Sequence, residues 1–216
     1  MTVYNFTGSN GDPLPSGLTA RNGTFEINSN KLKATGSSPG GPDWVVTGSG
    51  DADTTVSVVY NAEGNSDGKS TGLCFRYSDN DNLWAVVIQD STGDTKLFKR
   101  ETGTWTQIGS TYTIPSFSTS TDYTITAILS GSSIDVEIDG TSRHSTTDSF
   151  NSSATEHGAR ISGTVNSIDD LTIPSPTVTY DFTGSNGDPL PSGLTAQNGT
   201  FEIQSNKLEA TGSEPD

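Results

Sequence analysis

The chain has 216 residues, 26 of them acidic and 11 basic, for a formal net charge of -15. A polyanion of this kind is repelled by nucleic acid and by anionic membrane surfaces, and no apolar run approaches the ~20 residues of a membrane-spanning helix, so neither nucleic-acid binding nor membrane insertion is expected. Cys74 is the single cysteine, which excludes an intramolecular disulfide and, in an apolar stretch, reads as a buried inert thiol.

In chain order, short alternating runs rich in Thr, Val, Ile and aromatics are separated by Gly and Asn turns, the pattern of strands. "MTVYNFTGSNGD" has neither a charged start nor an apolar core, so no secretory signal is visible. "TFEI" and "NKLKAT" form a hairpin across Asn28 and Ser29. "DWVVTG" and "TTVSVVYNA" follow, with Val56, Val58 and Tyr60 on one face. "TGLCFRYS" pairs with "NLWAVVIQD" across an Asp-Asn-Asp turn, "TKLFKRE" with "TWTQIGS" across Thr102 and Gly103, and "YTITAILSG" with "SIDVEIDG" across Gly131 and Ser132. "GARISG" and "SIDDLTI" close the unit. About a dozen strands and no helix predict an all-β, antiparallel two-sheet jelly roll.

The opening of the chain then recurs. Tyr4 to Ser37 aligns without gaps to Tyr180 to Ser213, and the 34 positions differ only at Asn5/Asp181, Arg21/Gln197, Asn28/Gln204 and Lys33/Glu209. Such closeness marks a duplication with a period of about 176 residues. It predicts a domain over residues 1–173, a Pro-containing linker at 174–177 and a partial second repeat over 178–216. A few strands cannot bury a core alone. The second copy is therefore expected to be disordered, to dock elsewhere, or to belong to a longer array. Its apolar residues Tyr180, Phe182, Leu194, Phe201, Ile203 and Leu208 repeat those of the first copy. They would support head-to-tail self-association by strand donation.

The order of "TGLCFRYSDNDNLWAVVIQDSTGDTKLFKRETGTWTQI", "YTITAILSGSSIDVEIDG" and "HGARISGTVNSIDDLTI" resembles the laminin-G-like branch of the concanavalin A-like lectin and glucanase jelly rolls. The resemblance covers nearly all of residues 1–173. It implies the sandwich fold and, in its relatives, a structural calcium at the closing Asp-x-aliphatic motif. Asp169 holds that position with Asp170 beside it, and Gly50 and Asp51 are the expected carbonyl-rich counterpart. The hydrolases of this fold carry a carboxylate-rich strand. Here Asp135, Glu137 and Asp139 share a face in the wrong order on a late strand, where turn chemistry and a solvated face explain them. No enzymatic activity is expected. Trp84, Trp105, Arg76 and Lys99 are candidates for glycan binding, although core or sheet-face packing is the commoner role of such tryptophans and Arg76 also reads as a sheet-face residue paired to a carboxylate. The expected role is a non-enzymatic structural or adhesive module of a repeat-containing virion or extracellular surface protein, with a carbohydrate-binding module as the alternative.

Overall fold

The computed structural model describes residues 2–36, 43–48, 51–174, 185–186, 201–205 and 207–210. The chain divides into two compact units, Met1–Pro176 and Thr177–Asp216. The described residues contain no helix.

The first unit is built from β1 (Thr2–Tyr4), β2 (Thr19–Asn22), β3 (Phe25–Asn28), β4 (Lys31–Ala34), β5 (Asp43–Gly48), β6 (Thr55–Asn61), β7 (Ser70–Asp79), β8 (Asn82–Gln89), β9 (Asp94–Glu101), β10 (Thr104–Thr113), β11 (Tyr123–Ser130), β12 (Ser133–Ile138), β13 (Thr141–Thr147), β14 (Glu156–Ile161) and β15 (Ser167–Ile173). Every pairing is antiparallel. One sheet runs β13-β12-β11-β6-β15-β4-β3, with β1 also on β15, and the other runs β10-β9-β8-β7-β14-β5-β2. The sequence pattern misses β1, β2 and β13. These strands are exposed or polar (β13 reads TSRHSTT), so no apolar alternation marks them.

The core lies between the sheets. Val56, Val58, Tyr60, Ile125, Val136 and Ile168 from the first meet Val45, Leu73, Phe75, Trp84, Val86 and Leu97 from the second. Alternation along each strand sends these residues inward and their neighbours outward. Turn chemistry follows the same local logic. In the β3–β4 hairpin the turn falls on Ser29 and Asn30, one residue later than the Asn28–Ser29 expected from the sequence, because Asn28 pairs with Lys31; both turn residues have φ near +55°, and Asp139–Gly140 and Thr102–Gly103 repeat that paired left-handed geometry. The Oδ1 of Asn10 accepts the Ser29 N–H at 2.8 Å and clamps the first hairpin.

The second unit contains β16 (Phe201–Gln204) and β17 (Lys207–Ala210), paired in the register of the first copy. The Ser205 N–H donates to Asn186 Oδ1 at 2.9 Å, as Ser29 does to Asn10. Ile203 is buried and Leu208 is exposed. Of the other residues named for assembly, Tyr180, Phe182 and Leu194, and the side chain of Phe201, lie outside the described residues.

Polar contacts join the two sheets at several points. The fully buried Asp90 carboxylate, just past β8, accepts from the backbone N–H groups of Gly68 and Lys69 and from the amides of Asn65 and Asn166. His144 on β13 bonds Thr95 on β9 at 2.8 Å. A buried carboxylate keeps its charge only when hydrogen bonds replace its water. We expect Asp90→Ala, which takes the shared acceptor from four donors, one of them on the fully buried Asn166, to cost about 2 kcal/mol or more. Urea unfolding followed by tryptophan fluorescence reads the loss; a change under 1 kcal/mol would refute this account of the node.

His157, fully buried on β14, accepts from the Arg76 N–H through Nδ1 and donates through Nε2 to the Asp51 carbonyl. Burial holds its pKa down to about 4. The unfolded value is about 6.5, so its contribution is complete above that pH and is lost as pH falls toward 4. His144, also lowered by burial, acts in the same sense. Unfolding free energy should therefore drop by about 3 kcal/mol between pH 6.5 and 4. Replacing His157 with Asn should flatten that slope; an equal slope in the variant would assign the effect elsewhere.

Candidate functional site

The seven-stranded sheet has an outer face that is also apolar. Trp44, Val46, Cys74, Tyr77, Leu83 and Ala85 form a buried cluster there, separate from the main core. Register defines its rows. Trp44 aligns with Arg160, Gly72, Val87 and Lys96 across β5, β14, β7, β8 and β9. Leu83 aligns with Arg100 and Trp105 across β8, β9 and β10. Between these rows run Val46, Gly158, Cys74, Ala85 and Phe98.

Trp44 and Trp105 stand five strand spacings apart, about 24 Å along a flat sheet. Their ring centroids are nevertheless 6.0 Å apart. Two indoles reaching toward each other cannot close such a gap on a flat surface, so this face curves inward. The floor beneath them is made of small residues. A Cβ on Gly72 would fall 2.1 Å from the Val86 carbonyl oxygen, and one on Gly158 would fall 1.9 Å from that of Val45, so neither position admits a side chain. Cys74 and Ala85 add little height. The Cys74 thiol, fully buried, is pushed up by burial and held protonated.

A hollow of about 280 Å³ opens on this face, lined by Ser70, Ala85, Val87, Phe98, Trp105 and Arg160. Trp105 is 37% exposed. It is braced by Phe98 edge-on at 5.8 Å and by the Arg100 guanidinium at 5.3 Å from its ring, while Arg100 pairs with Asp81. Arg160 lies 5.9 Å from the Trp44 ring and donates from Nη1 to the Ser70 carbonyl. Its Nε is buried with no acceptor. Burial lowers its pKa to about 10, so it remains charged at neutral pH.

Of the residues expected to bind glycan, only Trp105 stands here. Trp84 is fully buried on the inner face, stacked 6.4 Å from Phe75, with its indole N–H on the Phe150 carbonyl. Lys99 shares that inward parity and pairs with Asp148 across the sandwich. Arg76 turns inward because its backbone is left-handed, with φ at +47° breaking the alternation of β7. Its guanidinium reaches Asp53 and the Gly131 carbonyl. The tryptophans weighed from the sequence for an aromatic platform include Trp44, which does stand on this face, but the sequence reading omits Phe98, Lys96, Arg100 and Arg160. The signal that could have found them is the pair of glycines breaking apolar strands in "TGLCF" and "HGARI".

Of the residues expected at calcium, Asp169 and Asp170 lie on β15 and Asp51 precedes β6. Asp169, raised by burial, accepts the Asp170 N–H and has Lys31 and Asp122 for charged neighbours. The Asp51 carbonyl oxygen is taken by His157, and Gly50 lies outside the described residues. No group of three or more His, Cys, Asp and Glu side chains that could hold a metal is found among the described residues. Asp135 accepts from Ser142 and Asp139 from the Thr124 N–H, both on the eight-stranded sheet, away from the hollow.

Comparison with solved structures supports the fold. The carbohydrate-binding module CBM66 from Bacillus subtilis superposes with a TM-score of 0.61 at 19% identity, over 74% of this chain and 96% of that one. A GH43 protein from Bacillus licheniformis gives 0.62 at 13%, over 81% of this chain and 39% of its own length. The β-glucanase of Bacillus licheniformis gives 0.54 at 10%, over 81% and 98%. The protein is thus an all-β jelly-roll sandwich of the concanavalin A-like kind; the likeness reaches that fold and not its laminin-G branch. No protein-family model matches the sequence, and no curated protein matches it.

The two tryptophans separate packing from exposure. We expect Trp84→Ala to cost about 3–5 kcal/mol, as for a buried aromatic. Trp105→Ala, partly solvated already, should cost about 1–2 kcal/mol. Equal losses in urea unfolding would contradict the assignment of the two rings to opposite faces.

Proposed function

We propose that the Met1–Pro176 unit is a non-enzymatic carbohydrate-binding module that seats a sugar residue in the hollow against Trp105. The observation that carries this reading is an exposed indole, held rigid by Phe98 and Arg100, beside a recess with a guanidinium on its wall. An aromatic surface with a few fixed polar groups is the usual form of a small-ligand site, and the volume falls near the lower end of the range for such sites, about 300–1,000 Å³. One superposing fold is by name a carbohydrate-binding module and another a β-glucanase. Glycoside cleavage generally uses two carboxyl groups flanking the bond. The hollow offers Trp105, Arg160 and Ser70 in that place, which favours retention of a sugar over its hydrolysis.

The sequence pointed first to a structural or adhesive unit and second to glycan recognition; the site supports the second. A virion context gains no support from the fold or its likenesses. Self-association rests on a different observation, the duplicated hairpin formed in the same register with the same Asn clamp. It remains a separate proposal, read by light scattering across concentration.

Immobilised-polysaccharide electrophoresis tests the binding role. The full chain should be retarded by at least one glycan, and Trp105→Ala should weaken that binding about tenfold or more while leaving the protein folded. Retardation unaffected by the substitution would remove the hollow as the site.

A further inference from the structure

The hollow has a feature that neutral-sugar binding does not require. Carboxylates outnumber cations 26 to 11 in this chain. Arg21, Lys31, Arg76, Lys99 and Arg100 each pair with one. Arg160 has none among the described residues, although it is largely buried and its Nε lacks an acceptor. A desolvated guanidinium without a counter-charge is costly, and acidic partners are not scarce here. Lys96 stands on the same face, in register with Val87 of the hollow lining. One cation therefore lines the recess and a second stands one strand from its lining, in a strongly acidic protein.

We propose that the hollow selects an acidic saccharide, with the carboxylate of a uronic acid residue paired to Arg160 while the sugar ring lies against Trp105. The inference rests on the glycan reading above and narrows its ligand class. A carboxylate matches the planar guanidinium better than a point charge would, and it supplies a counter-charge that Arg160 lacks among the described residues. The net charge opposes an acidic polymer only weakly at physiological salt, where charges beyond about 8 Å are screened. The recessed pair is screened much less.

Calorimetric titration of the full chain at physiological ionic strength uses three probes: trigalacturonic acid, its methyl ester and maltotriose. The free acid should bind about tenfold or more tightly than the ester, the order of one hydrogen bond to a charged group. Arg160→Gln should erase that preference, and Arg160→Lys should keep part of it. Trp105→Ala should weaken acid and ester alike. Equal binding of acid and ester by the unmodified chain overturns this inference and leaves the glycan reading standing. An acid preference that survives in Arg160→Gln also overturns it. Binding of dextran sulfate as tight as that of the uronate would show a general anion site and overturn the carboxylate assignment. Failure of every saccharide, on an electrophoretic panel as well, removes both readings together.

Discussion

The buried carboxylate of Asp90 is the point on which the sandwich closes. It follows β8 of one sheet, while Asn166 immediately precedes β15 of the other and Asn65 follows β6. All three meet at one pair of oxygens, together with the N–H groups of Gly68 and Lys69. Hydrophobic burial alone fixes neither the relative slide nor the register of two stacked sheets, because an apolar surface packs nearly as well after a small shift. A carboxylate with four fixed donors does not tolerate that shift. Trp84 to Phe150, Lys99 to Asp148 and Arg76 to Gly131 repeat the device at lower cost around the rim. Each joins an element of one sheet to a strand or loop that continues from the other.

With the sheets so held, the outer face is free to curve, and its curvature is written in small residues. Gly72 and Gly158 leave the middle of β7 and β14 without side chains, and Trp44 and Trp105 meet across this face. The fold buries Trp44 and leaves Trp105 partly in water. That division makes a hollow with an apolar wall and a charged wall, on a protein of net charge -15.

Much of this was readable beforehand, and the part that was not has a physical cause. Strands such as β6, β8 and β11 declare themselves because one face is buried and the other is not, and the hairpin turns declare themselves because few residues accept left-handed geometry. Assigning a side chain to a face requires knowing the parity of its strand, and parity fails at bulges. Arg76 illustrates this: one left-handed residue carries it to the interior. Trp84 lies on a strand buried on both sides, where no alternation in hydropathy says which side is which. The convergence of Trp105 with Arg160 depends on strands far apart in sequence, so no local motif announces it. The hairpin is the opposite case. Its two copies reach the same register and clamp because every determinant lies within about twenty residues.

The pairing of β1 with β15 bears on how the domain carries load. Thr2 lies directly opposite Ile173, and the partners run antiparallel from that point through Val3–Thr172 to Tyr4–Leu171. The two ends of the domain thus emerge side by side. A pull applied through them acts at the tip of the ladder and opens its hydrogen bonds one after another, as a zipper opens. It does not load them together, as it would if the strands were drawn past each other in shear. Under tension the first strand should peel away at modest force, releasing a few residues of slack while the sandwich behind it stays closed.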